Sequence, residues 1–241
     1  MTSSLQPYKK YFRNIGEALL HLAFPHLCHG CGSDRVHAKE PLCLRCLSSL
    51  PNTNFHAHAD NPVEKLFWGR MHVKAAAAQY FFTRGSLMQK LMHQLKYKGN
   101  RDIGVYLGRF MGETLATCSR FATVEALVPL PLFRSREHKR GYNQAALLCA
   151  GIASVMHVPV LKDLVIRTTH TETQTRKGRI ERWENIKDRF MISNQNAGKD
   201  KHVLLVDDVV TTGATLEACG RELTSVPGLR LSIAALCFSS H

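Results

Sequence analysis

The sequence predicts an α/β fold, a mostly parallel sheet flanked by helices, with a small cysteine-rich module ahead of it. Short apolar runs alternate along the chain with segments whose apolar residues recur at helical spacing, which is typical of parallel strands connected by helices. One apolar run, Val203–Val206, is followed directly by two carboxylates and a turn of small residues. Four of the eight cysteines lie within residues 28–46 and indicate the separate module.

The individual elements are predicted in order from periodicity and from proline and glycine positions. Strands are predicted at residues 73–82, 126–132, 158–165, 203–206 and 231–238. Helices are predicted within residues 1–24, at 85–98, 101–117 and 142–156, and from the turn at 211–215 to about residue 223. Residues 133–141 are predicted as a basic loop, and residues 167–189 show no clear period. Ligands of parallel sheets bind beyond the carboxyl ends of the strands, where the 131–140 segment is expected to meet Asp207 and Asp208.

Length and composition predict a cytoplasmic protein of two parts. At 241 residues the chain can form one α/β domain and a small module, which we predict at residues 56–241 and 1–55. Glu17 and His21 interrupt the apolar stretch near the N-terminus, so it is predicted neither to span a bilayer nor to form a signal-peptide core.

The charge balance favours polyanionic ligands. The chain carries 32 Lys and Arg against 19 Asp and Glu, a net charge of +13, with 13 His in addition. Such a charge suits a pyrophosphorylated sugar, a nucleic acid or both. The basic residues are concentrated at 90–101, 134–140 and 167–189, although a solvated surface explains any single segment equally well.

Residues 203–215 predict adjacent sites for a phosphate and for a diol. A turn of small residues that opens a helix offers backbone N–H groups and hydroxyls to a phosphate. The carboxylates of Asp207 and Asp208, next to it, can accept hydrogen bonds from vicinal sugar hydroxyls. Together the two sites describe a ribose 5-phosphate; the alternative is an ordinary turn with two solvated aspartates. No Gly-x-x-x-x-Gly-Lys-Ser/Thr loop occurs, so ATP hydrolysis of that type is not indicated.

The clustered cysteines have the spacing of a metal site. They form the pattern Cys-x2-Cys-x11-Cys-x2-Cys, with ligands Cys28, Cys31, Cys43 and Cys46. Two such knuckles complete a tetrahedral site and leave no ligand position open, which predicts structural rather than catalytic Zn²⁺. An iron–sulfur cluster and two disulfides are the alternatives.

The segment at 203–215 resembles the 5-phosphoribosyl-1-pyrophosphate (PRPP) motif of the type I phosphoribosyltransferases. That motif is an apolar strand, two acidic residues, two apolar residues and Thr-Thr-Gly-x-Thr. The resemblance implies that Asp207 and Asp208 bind the ribose hydroxyls and that residues 211–215 bind the 5′-phosphate. The implied PRPP-binding segment is Asp207, Asp208, Val209, Val210, Thr211, Thr212, Gly213, Ala214 and Thr215.

Over residues 20–238 the chain resembles the ComF family, which is associated with DNA uptake during natural competence. The resemblance is carried, in order, by the paired cysteine knuckles, Leu95-Lys-Tyr-Lys-Gly, Val128-Pro-Leu-Pro, Arg140-Gly-Tyr-Asn-Gln, Thr171-x-Thr-Gln and the PRPP motif. It implies a type I phosphoribosyltransferase-like domain behind a small zinc-binding module.

The resemblance also implies how PRPP is held. Its pyrophosphate is expected to meet the segment after the Val128-Pro-Leu-Pro strand, with Pro131, Arg134, Arg136 and Arg140 as contacts. Gln174 belongs to a segment, 173–182, that resembles the loop closing over PRPP; a solvated surface loop is the alternative. Mg²⁺ is expected with the pyrophosphate and the ribose hydroxyls.

Two functions follow from these expectations. The first is a Mg²⁺-dependent phosphoribosyltransferase with Asp207 and Asp208 as catalytic carboxylates and an unknown acceptor. The second is a competence protein that handles single-stranded DNA and binds PRPP without transferring the phosphoribosyl group. Single-stranded DNA and other competence proteins are therefore candidate partners besides PRPP.

Overall fold

The computed structural model describes residues 26–37, 40–168 and 189–239. The chain divides into two compact units, Met1–Ser49 and Leu50–His241. The predicted N-terminal helix, Gln174 and the segment 173–182 lie outside the described residues. Within the described residues, every helix is too short or too polar to cross a bilayer.

The described elements alternate as the sequence predicts. The helices are α1 Leu44–Ser48, α2 Pro62–Lys65, α3 Leu87–Tyr97, α4 Arg101–Ala116, α5 Arg134–Arg140, α6 Gln144–Met156, α7 Gln195–Gly198 and α8 Ala214–Thr224. The strands are β1 Ala76–Phe81, β2 Ala126–Pro129, β3 Val165–Thr168, β4 Arg189–Ile192, β5 His202–Val210 and β6 Arg230–Phe238.

A four-stranded parallel sheet organises the larger unit, which confirms the predicted fold class. Its order is β1-β6-β5-β2, so β5 lies in the interior between two neighbours. Residues Val203–Val206 are fully buried on both faces of the sheet, as expected for a central parallel strand. Burial on both faces explains why this run is continuously apolar and does not alternate.

Two predictions for residues 133–165 are wrong. The basic loop predicted at 133–141 is largely the helix α5, which ends at Gly141 with φ 74°. A seven-residue helix without apolar residues has no hydrophobic periodicity, so its sequence does not predict a helix. The strand predicted at 158–165 is confined to its end: Val160 makes only an isolated bridge to Leu127, and β3 starts at Val165 and pairs antiparallel with β4.

Helices α4 and α6 pack so closely that two glycines are required where they meet. A Cβ on Gly108 would lie 2.3 Å from the carbonyl oxygen of Leu148. A Cβ on Gly151 would lie 2.2 Å from the carbonyl oxygen of Val105. Because both obstacles are backbone atoms, no side-chain rotation can relieve the clash.

We predict that Gly151→Ala lowers the free energy of unfolding by roughly 1–3 kcal/mol, because the added methyl group forces the two helices apart. Gly220→Ala is the matched control within α8, since its Cβ would meet only the ends of the Met71 and Leu231 side chains. That control should change stability by less than about 1 kcal/mol, because alanine's helix propensity offsets the adjustment. Urea unfolding of both variants measures the change in the free energy of unfolding. Equal changes in the two variants would contradict the close-packing explanation.

Candidate functional site

The two carboxylates of the predicted site lie inside β5 and not beyond it. The strand was predicted to end at Val206, but it continues to Val210 because Val209 and Val210 pair with Cys237 and Phe238 of β6. Asp207 and Asp208 are consequently part of the sheet and are only partly exposed. Their positions are set by the strand ladder, which makes the site rigid before any ligand arrives.

Asp207 and Asp208 face opposite sides of the sheet, because successive side chains of a strand alternate. Asp208 forms an ion pair with Lys96 of α3, with 2.9 Å between Oδ2 and Nζ. Asp207 lies within the electrostatic influence of Lys96 and of Arg167 on β3, and it accepts a hydrogen bond of 2.7 Å from the backbone N–H of Asp208. Lys96 therefore acts on both carboxylates.

Burial raises the pKa of the Asp207 carboxyl group above its ordinary range. Desolvation is the largest cause and the charge of Asp208 the next, and together they raise the pKa of Asp207 to about 7. The Asp208 N–H, Lys96 and Arg167 oppose this rise without cancelling it. The carboxyl group of Asp207 is thus poised between its neutral and ionised forms near neutral pH.

The turn after β5 exposes the N-terminus of α8. Gly213 adopts φ 75°, and a Cβ there would also lie 3.0 Å from the Phe67 ring, so glycine is required for both reasons. The first helical hydrogen bond runs from the Glu217 N–H to the Gly213 carbonyl oxygen, at 2.8 Å. The Ala214 N–H donates to Thr212 Oγ1 at 3.5 Å, and Thr211 and Thr212 are exposed. The N-terminus of a helix leaves its first N–H groups without helical partners, an arrangement that suits an anion.

The arginines of α5 do not converge on one point. Arg134 lines a cavity of 670 Å³ together with Pro131 and Arg167, which we call the Arg134 cavity. Arg136 and Arg140, one helical turn apart, line a second cavity of 530 Å³. We call this second space the Lys96 cavity; it is lined by Lys96, Tyr97, Gly99, Arg136, Lys139, Arg140 and Tyr142. The sequence analysis predicts a loop at residues 133–141 and expects Arg134, Arg136 and Arg140 to contact the same pyrophosphate.

Lys96 is the residue that sequence reasoning missed. Helix α3 is predicted from the spacing of its apolar residues, and the structure shows that one of them, Leu95, is fully buried. The next residue, Lys96, points to Asp208, which lies 112 positions further along the chain. Two features of the sequence point to this position: the motif Leu95-Lys-Tyr-Lys-Gly, which is part of the family resemblance, and the basic segment at 90–101.

The four clustered cysteines form a site that can hold a metal ion. Their sulfur atoms all lie within 4.8 Å of one another, and the Sγ atoms of Cys31 and Cys43 are 3.7 Å apart. A tetrahedral ion with metal–sulfur bonds near 2.3 Å would separate its ligands by about 3.8 Å, so the donors fit. Separation of this size excludes a bond between Cys31 and Cys43, and all four thiols are free.

Backbone N–H groups favour a thiolate within this cluster. Burial acts to raise the pKa of Cys28, but hydrogen bonds from the backbone of Cys43, Cys31 and Gly30 outweigh it and lower the pKa to about 6. Burial and the neighbouring sulfurs raise the pKa of Cys46 to about 12. Four thiolates would repel one another strongly, so full ionisation of the cluster requires a cation at its centre.

The chain resembles both phosphoribosyltransferases and competence proteins. The family model of the phosphoribosyl transferase domain matches residues 143–241. The chain is 30% identical over 206 residues to competence protein F of Haemophilus influenzae, covering 85% of this chain and 86% of that protein. It is 28% identical to the DNA utilization protein YhgH of Escherichia coli, with 88% and 83% covered. Competence protein ComFC of Bacillus subtilis is also 28% identical, with 58% and 55% covered.

Among solved structures, an adenine phosphoribosyltransferase aligns with 63% of this chain and 69% of its own, at 18% identity and a TM-score of 0.37. The domain match and the parallel sheet confirm the type I phosphoribosyltransferase fold. The phosphoribosyl transferase match begins at Asn143, directly before α6, and includes the whole of β5 and α8.

We predict that Asp207 makes the free energy of unfolding fall as the pH rises from about 4 to about 7. The native state holds this proton more tightly than the unfolded chain, because the pKa of Asp207 is raised above its ordinary value of 3.8. Asp207→Asn should therefore stabilise the protein at pH 8, by roughly 1–3 kcal/mol, and have little effect at pH 4.5. Urea unfolding at both pH values measures this, with the exposed Asp102→Asn as control. An Asp207→Asn profile parallel to that of the wild type would contradict the raised pKa.

Proposed function

This chain belongs to the ComF family of competence proteins, and from that premise we propose that it binds Mg²⁺–PRPP at the carboxyl edge of its parallel sheet. The observation that carries the proposal is the order β5, acidic pair, Gly213 turn and exposed α8 N-terminus. A ribose 5-phosphate needs a phosphate site and a diol site next to each other, and these elements offer both.

In the proposed complex the 5′-phosphate binds the turn at residues 211–215. The N–H groups of Thr211 to Thr215 and the threonine hydroxyls are its donors, as at other phosphate-binding helix N-termini. Asp207 and Asp208 accept hydrogen bonds from the ribose hydroxyls, while Val209 and Val210 hold the acidic pair in the ladder with β6. An ionised Asp207 accepts these bonds best, so binding should strengthen as the pH rises through about 7.

The pyrophosphate is proposed to lie beside α5, whose arginines line the cavities on its two sides. Transfer would break the bond between C1′ and the pyrophosphate, leaving positive charge on the ribose ring and negative charge on the leaving group. Guanidinium groups of Arg134, Arg136 and Arg140 suit the leaving group, and the carboxylates suit the ring. Carboxylate and phosphate oxygens are the ligands that Mg²⁺ prefers, and the bound ion would neutralise part of the pyrophosphate charge.

We further propose that Cys28, Cys31, Cys43 and Cys46 bind one structural Zn²⁺. Four sulfur ligands leave no position for a substrate or water, which is the mark of a structural site. Thiols bind metal only while they remain reduced, and this condition is met in the cytoplasm, where we place the protein. Among the described residues of the small unit, Leu42 is the one buried apolar side chain besides these cysteines, so the ion should contribute directly to its folding.

A second candidate function is a single-stranded-DNA-handling competence protein that binds PRPP without transfer. Its support is the exposed ring of Tyr97, 67% accessible, beside the basic side chains of the Lys96 cavity. An aromatic platform next to cations is the usual means of holding a single strand. Release of pyrophosphate from Mg²⁺–PRPP, measured with and without single-stranded DNA, separates the two functions: sustained release supports transfer, and binding of both ligands without release supports the second.

We predict that Asp208→Asn weakens Mg²⁺–PRPP binding about 10-fold or more, since one charge-assisted hydrogen bond contributes roughly 1.5–3 kcal/mol. Thr212→Val should weaken the binding of ribose 5-phosphate by a similar factor. Asp102→Asn and Thr224→Val, the latter at the far end of α8, are the matched controls and should bind normally. Isothermal titration calorimetry measures all four, and wild-type affinity in both site variants would refute the proposed site.

We also predict one zinc per chain and no iron in the purified protein. Cys43→Ser should lose the zinc and the fold of the small unit, because the sulfur that it removes is one of four ligands. Cys118→Ser is the control, since Cys118 lies outside the cluster and donates only to the His56 carbonyl oxygen. Elemental analysis decides the matter: full zinc in Cys43→Ser, or iron in the wild type, would contradict the assignment.

A further inference from the structure

Lys96 belongs to two sites at once. Its ammonium group is 2.9 Å from Oδ2 of Asp208, and its side chain also lines the Lys96 cavity. Both partners of the ion pair are partly shielded from water, with 24% of the Lys96 side chain and 15% of the Asp208 side chain exposed. Such shielding makes the pair stronger than one on an open surface.

The backbone that carries Lys96 is held firmly against the other wall of the cavity. The Tyr142 hydroxyl donates a hydrogen bond of 2.5 Å to the carbonyl oxygen of Leu95. The Arg101 guanidinium covers the Tyr142 ring at 5.0 Å and donates to the Gly141 carbonyl oxygen at 2.9 Å. Only the flexible side chain of Lys96 is therefore left to move between Asp208 and the cavity.

The cavity itself is strongly basic. Lys96, Arg136, Lys139 and Arg140 contribute four positive charges, and none of the described residues lining it is acidic. Arg140 is already engaged by the Gln144 side-chain oxygen at 2.7 Å and lies over the Tyr97 ring. A phosphate group entering this space gains the most from the cations that can turn toward it, which include Lys96.

We propose that Lys96 is a positioning residue that couples the two sites: a phosphate group in the Lys96 cavity draws the ammonium away from Asp208 and so frees that carboxylate for a ribose hydroxyl. The inference rests on the proposed function, because it assumes that Asp208 binds the ribose. In the ligand-free protein Lys96 keeps Asp208 neutralised and blocked. Coupling of this kind is reciprocal, so ribose binding at Asp208 must also strengthen phosphate binding in the cavity.

The test measures ribose 5-phosphate affinity by calorimetry without Mg²⁺, in the absence and presence of saturating inorganic pyrophosphate. In the wild type, pyrophosphate should strengthen ribose 5-phosphate binding by about fivefold or more. Without such coupling, the negative charges of pyrophosphate and ribose 5-phosphate would make each ligand weaken the binding of the other. Stronger binding of ribose 5-phosphate in the presence of pyrophosphate is therefore the result expected if Asp208 is released from Lys96. Independent or mutually weakened binding in the wild type overturns the inference.

Variants of Lys96 identify the residue responsible. Lys96→Met should abolish the coupling, and its ribose 5-phosphate affinity without pyrophosphate should approach that of the pyrophosphate-loaded wild type. Lys96→Arg retains the positive charge and should retain part of the coupling. Lys98→Met, an exposed lysine two residues further on, is the control and should couple like the wild type. Undiminished coupling in folded Lys96→Met, judged by circular dichroism, overturns the role of Lys96.

Failure of this inference can be told from failure of the proposed function. If the wild type binds neither ribose 5-phosphate nor PRPP, the proposed function fails; if it binds both probes independently, only the coupling fails. The phosphate group could come from PRPP itself or from an acceptor. Titrating pyrophosphate into protein saturated with Mg²⁺–PRPP distinguishes these two sources. If no pyrophosphate binds, PRPP already fills the Lys96 cavity. If pyrophosphate still binds, the cavity is open to the phosphate of an acceptor.

Discussion

The burial of β5 is the constraint on which the rest of the larger unit depends. This strand lies between β6 and β2, and its residues Val203–Val206 are inaccessible to water. Because the apolar part anchors the strand on both faces, Asp207 and Asp208, which follow it within β5, are carried toward the carboxyl edge of the sheet in one orientation. The same strand leads directly into the Gly213 turn and the N-terminus of α8, so the spacing between the acidic pair and this helix end is fixed.

Placing two carboxylates next to each other in a sheet is costly, and nearby cations compensate for it. Lys96 pairs with Asp208 and also acts on Asp207, on which Arg167 acts as well. The compensation is incomplete at Asp207, whose pKa remains near 7 because burial outweighs the nearby cations. Incomplete compensation leaves the carboxyl group of Asp207 poised between its neutral and ionised forms near neutral pH.

Helix α5 divides the positive charge of its segment between two cavities. Seven residues are enough for two helical turns, and the side chains of Arg134 and Arg136 consequently point in different directions. Each cavity is also lined by a cation that acts on the acidic pair: Arg167, in the Arg134 cavity, acts on Asp207, and Lys96, in the Lys96 cavity, acts on both aspartates.

The sequence alone determined the features that depend on local chemistry. These are the apolar strand, acidic pair and turn of residues 203–215, and the metal-ligand spacing of the four cysteines. These features are contiguous or regularly spaced, so their geometry follows from backbone periodicity and ligand number. The sequence could not show that Lys96 meets Asp208, that the arginines of α5 separate, or that Gly108 and Gly151 allow α4 and α6 to touch. Only the tertiary structure decided these contacts, because they join segments far apart in the chain, whose approach depends on the packing of whole helices and strands and not on any local pattern.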